Sequence, residues 1–335
     1  MPVCPAALGL PAERVEAVLR AAGAAPSLHN SQPWSFRLWR HLIEVHADVG
    51  RRLPAADPED RELRLGCGAA LLNLRLALDH HRVHPVVTVP PDGDDRTTLL
   101  AEVRAGQRGS PSAESERLYG MIERRHTARA PFRERPVPAE LRHEMIQAVQ
   151  REGCWLHVVG RGELGHLEGL VHRAHRVQMA DGRFREELAR WTGRDVGDPE
   201  GVPAAAAGPA PEPQDQWVLR DFSAGRAPRR EPGLAFEAQP LLAVVSSQDS
   251  GPRAEVRAGE ALQRMLLTAT AGGLVASLMS QVIEVAETRQ ELATLLGGGW
   301  NPHAVVRIGF GAPGPPAPRR PVGDVVEAGT SASSP

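Results

Sequence analysis

The sequence predicts an α+β protein made of two related halves, each pairing short strands with a long buried helix. Three observations predict it. First, 65–78 and 259–275 are helical stretches whose apolar residues cover most of the circumference, as Leu65, Ala69, Leu72 and Leu76 do in the first; such helices belong inside a protein. Second, the strand signals between them are short and bounded by turn residues. Third, the halves echo each other. Gly68-x-Ala70-Leu71-(x)4-Leu76 recurs as Gly259-x-Ala261-Leu262-(x)4-Leu267, and Pro11-Ala12-Glu13 opens a helix-then-strand unit as Pro138-Ala139-Glu140 does.

In chain order, 11–22 places Val15, Val18 and Leu19 at helical spacing behind Pro11, which suits a first turn. Residues 34–39 alternate as a strand, and 42–45 read as its hairpin partner. The helix 65–78 follows, then a strand at 85–90 and a turn at 91–95. The polar, Gly/Ser/Pro-containing stretch 107–116 is the best boundary, giving halves 1–110 and 111–335. A helix over 118–125 runs into Arg125-His126-Thr127-Ala128-Arg129-Ala130-Pro131-Phe132. Next come a helix at 138–149, a strand at 154–159 and a helix at 163–180. Residues 181–233 are broken by Pro199, Pro203, Pro209, Pro211 and Pro213, and irregular stretches of that length are lids, binding loops or disorder. Trp191, Trp217 and Phe222 favour a lid, because large aromatics seek burial. A buried strand at 241–246, the helix 259–275 and a last strand at 304–310 complete the order.

Composition excludes several classes. The 335 residues are 41% hydrophobic and 24% charged, ordinary for a globular chain, and a net charge of −2 gives no reason to expect nucleic acid or an anionic membrane as partner. There is no lysine, so neither a pyridoxal Schiff base nor a standard P-loop is available; bound phosphate would rely on arginine, helix N-termini and backbone amides. Cys4, Cys67 and Cys154 lie far apart and read as reduced thiols. With no signal-peptide pattern and no apolar run able to span a bilayer, the expectation is a cytoplasmic protein.

Two stretches carry unusual chemistry. Ala25-Pro26-Ser27-Leu28-His29-Asn30-Ser31-Gln32-Pro33-Trp34 sets a hydroxyl, an imidazole and two carboxamides between two prolines, in a helix-to-strand loop. It reads either as a well-capped turn or as a set of hydrogen-bonding groups for the edge of a planar heterocycle. The run 125–132 reads either as a solvated basic face or as a compact anion site. Three further patterns are decoys. Gly66-Cys67-Gly68 lies within helical periodicity and suits close helix packing. His80, His81 and His84 lack a third ligand, so no metal is expected. Gly309-Phe310-Gly311-Ala312-Pro313-Gly314 matches GxGxxG, but prolines follow it in place of the required helix.

The first loop resembles the PSxxNxQPW loop of the nitroreductase family of FMN enzymes, and 125–132 resembles that family's arginine-serine motif. The resemblance implies that Arg125, His126, Thr127 and Arg129 grip the FMN phosphate and ribityl chain, with Pro26, Ser27, Leu28, Asn30 and Gln32 contributed by the loop. Ala271-Gly272-Gly273-Leu274 is similar to the family's AxGL segment, so Ser280 and Gln281 match the turn that faces flavin N5. Arg319-Arg320-Pro321 resembles the C-terminal basic pair that reaches the phosphate, Arg319 in the better register and Arg320 as the alternative. The implied fold is nitroreductase-like, with a mixed or antiparallel sheet flanked by helices in each half.

The losses in the two halves are complementary. The first half has the PSLHNSQPW loop without the arginine cluster, and the second has the cluster with only 150–153 between helix and strand. Nitroreductases are dimers with flavin at the interface, so this chain resembles a fused pseudo-dimer with one FMN site, as in the Acg-like branch. That implies a monomer acting on FMN, NAD(P)H and a small-molecule electron acceptor such as a nitro compound or quinone, with no catalytic side chain assignable. The rival class is a flavin-sequestering protein whose lid stays closed. A flavin-free scaffold is disfavoured, because both cofactor motifs are intact.

Overall fold

The computed structural model describes residues 4–90, 98–195, 197–227, 236–237 and 240–327. The alternation in 34–47 folds as the expected hairpin, β1 (Trp34–Trp39) against β2 (Leu42–Ala47), in register from Trp34↔Ala47 to Trp39↔Leu42. Trp34, Phe36, Ile43 and Val45 point into the core, where α1 (Ala12–Gly23) adds Val15, Val18, Leu19 and Ala22. Behind this sheet runs α2 (Arg61–His80), buried over most of its length. Two more strands follow, β3 (Val83–Thr88) and β4 (Leu99–Arg108). The sequence reading missed β4, whose glutamate, arginine and glutamine residues leave only Ala101 and Val103 buried and blur the period-two signal. The turn expected at 91–95 lies outside the described residues.

The boundary is narrower than 107–116. Strand β4 runs to Arg108 and α3 (Ala113–Tyr119) begins at once, with the Ser112 hydroxyl accepting the Ser115 N–H as its cap. The helix expected over 118–125 is therefore displaced. It ends at Tyr119, and turns carry the chain to Arg125.

A second sheet is built from the rest of the chain. Helix α4 (Ala139–Gln150) leads into β5 (Trp155–Val158). Then α5 (Leu164–Ala180), α6 (Gly182–Trp191) and the short parallel pair β6 (Thr192–Arg194) and β7 (Val202–Pro203) intervene. Next come β8 (Leu241–Ser247), α7 (Pro252–Ala271), β9 (Val275–Leu278), α8 (Gln281–Glu284), α9 (Ala286–Leu295) and β10 (Asn301–Gly309). After α10 (Val322–Val325), a final strand β11 (Val326–Glu327) joins the first sheet parallel to β1, so β10 is not the last strand. The first sheet runs β11-β1-β2-β4-β3 and the second β5-β8-β10-β9. Setting β11 aside, the two sheets share one order, each pairing antiparallel throughout and each with its long helix between the second and third strands.

Helices α2 and α7 cross at the centre. A Cβ on Gly68 would lie 2.0 Å from the Val256 carbonyl oxygen, and one on Gly259 would lie 2.1 Å from that of Leu65. The two contacts are mirror images in sequence, each glycine meeting the residue three before the other. An alanine at either would pry the helices apart, and overpacking of this kind costs about 1–3 kcal/mol. Around the crossing Gln263 Nε2 donates to Asn73 Oδ1 (2.8 Å), and Arg75 bridges Glu152 and Glu260 (2.8 and 2.6 Å). Helix α7 starts earlier than the expected 259, with Pro252 in its first turn, and it ends at Ala271; Gly273 at φ 73° then turns the chain into β9. Within 181–233, the first ten residues are the amphipathic α6 with Phe184 and Leu188 buried, so irregular chain begins only beyond it. No helix among the described residues is long and apolar enough to cross a membrane.

Candidate functional site

Where the two halves meet, a cleft encloses about 1020 Å3 of free space, open solvent included. One wall is the loop after α1. Its chain is left-handed at His29 (φ 51°), Asn30 (φ 56°) and Gln32 (φ 51°), a conformation that non-glycine residues avoid. Strain of this kind, about 1–3 kcal/mol per residue, persists only when the surroundings over-determine it. Here Ser27 Oγ accepts the Gln32 N–H (2.9 Å), and Asn30 Nδ2 donates to the carbonyls of Gly201 (2.9 Å) and Pro318 (3.1 Å). Gln32 Nε2 donates to the Pro199 carbonyl (2.8 Å). The loop is thus tied to 199–201 from the irregular segment and to the C-terminal arm.

One end of the cleft is cationic. Thr127 bridges to Ala276 of β9, and the Ala128 N–H donates to the Ala276 carbonyl (2.9 Å), which sets the 125–129 run beside the second sheet. Arg125 is buried and donates only to the Ala24 carbonyl (3.4 Å), leaving Nε without a partner. Arg319 donates to the carbonyls of Ala24 and Ala25 (3.2 Å each) and of Ala317 and Pro318 (3.0 Å each), again with an orphaned Nε. Arg129 donates to the Ala206 carbonyl (2.9 Å) and lies 4.6 Å over the Phe222 ring. None of these three guanidinium groups pairs with a carboxylate among the described residues. Burial, together with Arg319 and Arg129 nearby, pulls Arg125 down to about 9; burial and Arg220 pull Arg129 down to about 10, and burial does the same to Arg319. His126 is held neutral by burial and by Arg125 and Arg319. Cations collected without counter-charge are stabilised by an anion brought from outside.

The cleft is also walled by His29, Glu62, Phe222 and Ser280, with Val202 and Ala206 contributed by the irregular segment. His29 packs edge-on to Phe222 with both ring nitrogens unpartnered, and burial pushes it down to about 3, so it is a neutral imidazole. Behind it, Arg220 donates to Glu284 (2.9 Å) and to Gln178 Oε1 (2.7 Å), a buried ion pair that keeps Glu284 ionised.

The structure brings most of the sequence-derived candidates to one place. Pro26, Ser27, Leu28, Asn30, Arg125, His126, Thr127, Arg129, Ser280 and Arg319 all line the cleft. Three do not. Gln32 is a strut whose Oε1 accepts the Arg320 N–H (2.8 Å). Arg320 holds the Gln32 carbonyl and Asp48 (3.3 and 3.1 Å), and Gln281 is buried at the start of α8. Sequence reasoning missed Glu62, Gly66 and Leu278 as wall residues, whereas Phe222, read as an aromatic of a lid, does line the cleft. Gly66 had a signal: a Cβ there would sit 3.3 Å from that of Ser27, inside the Gly pair read as helix packing. The pattern 309–314 also has a local cause. Cβ atoms on Gly309, Gly311 and Gly314 would lie 2.8 Å from Phe132, 2.9 Å from Val275 and 2.1 Å from the Thr127 carbonyl. His80 stacks on Tyr119 (4.0 Å) and bonds Glu116, and His84 bonds Asp79.

Two sheets of one strand order, with a cleft lined by uncompensated arginines and a strained amide-rich loop, define an α+β protein with a cationic cleft. No family model matches the chain. Relatives do. The chain is 32% identical over 321 residues to Rv3131 of Mycobacterium tuberculosis, provisionally named an NAD(P)H nitroreductase, covering 94% of this chain and 92% of that one. It is 30% identical over 319 residues to the NAD(P)H nitroreductase Acg of the same organism, also provisionally named, covering 93% and 94%. The chain belongs to this Acg-like family of nitroreductases. Among solved structures, the FMN-dependent nitroreductase NfnB of Mycobacterium smegmatis in complex with NADPH aligns with 66% of this chain and 97% of its own, at 19% identity and a TM-score of 0.38. A Bacteroides fragilis nitroreductase with bound FMN aligns with 65% and 98%, at 17% identity and a TM-score of 0.36.

Proposed function

We propose that this chain is an FMN-dependent oxidoreductase of nitroreductase type, taking reducing equivalents from NAD(P)H and delivering them to a nitro, quinone or similar small acceptor. The observation that carries this reading is the trio of Arg125, buried, with Arg129 and Arg319, half-buried, all facing one cleft and unpaired with any carboxylate among the described residues. A phosphomonoester supplies the missing charge, and the orphaned Nε atoms of Arg125 and Arg319 are donors waiting for acceptors. Arg125, His126, Thr127 and Arg319 would hold the phosphate and ribityl end; Ser27, Leu28 and Asn30 would flank the ring with Ser280 opposite. When bound, the flavin supplies hydride chemistry at N5, and the protein supplies orientation, electrostatics and exclusion of water.

Three finer features belong to the same reading. Irregular chain beyond α6 acts as a lid, supported by Val202, Ala206 and Phe222 in the cleft wall and by the Asn30–Gly201 and Gln32–Pro199 bonds. The chain is an internal duplication, supported by the shared strand order and the reciprocal glycine contact. It acts as a monomeric pseudo-dimer with one flavin, supported by the loop and the arginine cluster serving a single cleft.

The test is an absorbance spectrum of purified protein, followed by NAD(P)H without oxygen. Flavin bands that bleach are expected. Bands that persist would mean a flavin store, and no bands an empty scaffold. Arg125→Ala is expected to purify folded and largely flavin-free, since removing one partner of a buried charged pair costs about 2–5 kcal/mol. Full flavin in that variant overturns the phosphate assignment.

A further inference from the structure

Every acceptor of this class consumes a proton together with the hydride, so a side chain lining the cleft can serve as the donor. The titratable side chains lining it are Glu62, His29, His126, Arg125, Arg129 and Arg319. His29 and His126 are neutral imidazoles, and the arginines are cations with phosphate to hold. Glu62 stands apart. It sits in the first turn of α2, is only 7% exposed, and accepts no hydrogen bond from the described residues. It also borders a second, smaller pocket formed with Asp57, Glu59, Arg61, Glu284 and Arg289. Glu59 lies on that pocket's outer side with its side chain 52% exposed. Glu62 therefore borders both the reaction cleft and a small polar pocket.

We propose that Glu62 is the proton donor to the acceptor, recharged from water in the adjoining pocket. This rests on the oxidoreductase reading above and deepens it. With a quinone, one hydride originating from NAD(P)H supplies both electrons and one of the two hydrogens of the quinol, and the second hydrogen is a proton. The O–H bond of Glu62 breaks as the new quinol O–H bond forms. The Glu62 carboxylate left behind then takes a proton from water on the pocket side. A nitro group reduced to nitroso has the same demand, one hydride and one proton, with water leaving.

The surroundings favour the protonated form of Glu62. Burial comes first, followed by the carboxylates of Glu284 and Asp57, and together they push it well above the usual carboxylate range against the opposing pull of Arg61 and Arg220. Asp57, hydrogen-bonded to the N–H groups of Arg61 and Leu63 (2.8 and 2.9 Å), is itself raised to about 6 by burial. Glu284 remains the anion of the group because Arg220 holds it. One carboxylate locked in an ion pair beside a second with no partner divides the charge in this way, and it leaves the unpaired one as the acid.

Glu62→Gln keeps the size and removes the acidic proton. In cofactor-free wild-type protein at neutral pH, infrared spectroscopy is expected to show a protonated-carboxyl stretch that is missing from Glu62→Gln. No such difference means that Glu62 is ionised, which overturns the proposal. In the flavin-loaded protein, reduced without oxygen, the rate with a quinone is expected to fall about 10²-fold in Glu62→Gln relative to the rate with ferricyanide, which takes electrons without protons. Glu62→Asp should recover part of that loss, and the wild-type quinone rate should fall as pH rises while the ferricyanide rate does not. Equal losses with both acceptors overturn the proposal and leave Glu62 a structural residue. A chain that holds no flavin fails the oxidoreductase reading, while the infrared difference still decides the state of Glu62.

Discussion

Arg125 and His29 face one cleft, and burial acts on both in the same direction: it disfavours the charged form. An arginine so placed is stabilised by an external anion. The histidine answers by staying neutral, as does His303, whose Nε2 donates to Ser247 Oγ (2.7 Å) and which burial pushes down to about 3. A histidine neutral in the fold but protonating near 6.5 when unfolded makes the unfolded chain the greater proton binder between pH 6.5 and 3. Stability is therefore complete above that window and declines as pH falls through it, by about 1.4 kcal/mol per pH unit for each histidine. His303→Gln should flatten the decline, so that the gap between variant and wild-type unfolding free energies changes with pH by that slope. Parallel curves would count against it. At this scale the sequence was legible where a motif packs its chemistry into a few consecutive residues, as in 26–32 and 125–129. Glu62 had no such signal, because it reaches the cleft from a segment whose local pattern is an ordinary helix start.

Among elements, the helices with apolar faces and the hairpin were readable, and those with diluted patterns were not. Strand β4 carries too many charged residues, and α6, with its arginines and glutamates, hid Phe184 and Leu188 inside a stretch otherwise full of proline. The irregular chain after α6 is defined by what it touches. Arg51 donates to Glu200, Asn30 to Gly201 and Arg129 to Ala206, so both chemical motifs are strapped to it. Replacing 197–214 with a short linker should therefore speed reduction by NAD(P)H or a small artificial donor and weaken flavin retention. Stopped-flow reduction and dialysis would report the two effects. If neither changes, the segment is no lid.

At the scale of the molecule, a symmetric homodimer presents each interface site twice, whereas two unlike halves in one chain present it once. The expectation is one FMN per chain and a monomer in sedimentation. Mixing Arg125→Ala with a variant altered in the 26–34 loop should not restore flavin binding, because Ser27 and Arg125 must come from one polypeptide. Recovered flavin in the mixture, or two FMN per chain, would return the ordinary dimeric arrangement. The sequence alone determined the two long buried helices, the first hairpin and the identity of the two motifs, since periodicity and short-range hydrogen-bonding chemistry are local properties. Tertiary structure decided that Arg319 faces the cleft while its neighbour Arg320 braces the loop, that β11 closes the first sheet, and that Gly68 and Gly259 set how near the halves approach. Those outcomes depend on which surfaces meet across hundreds of residues, and no local pattern records that.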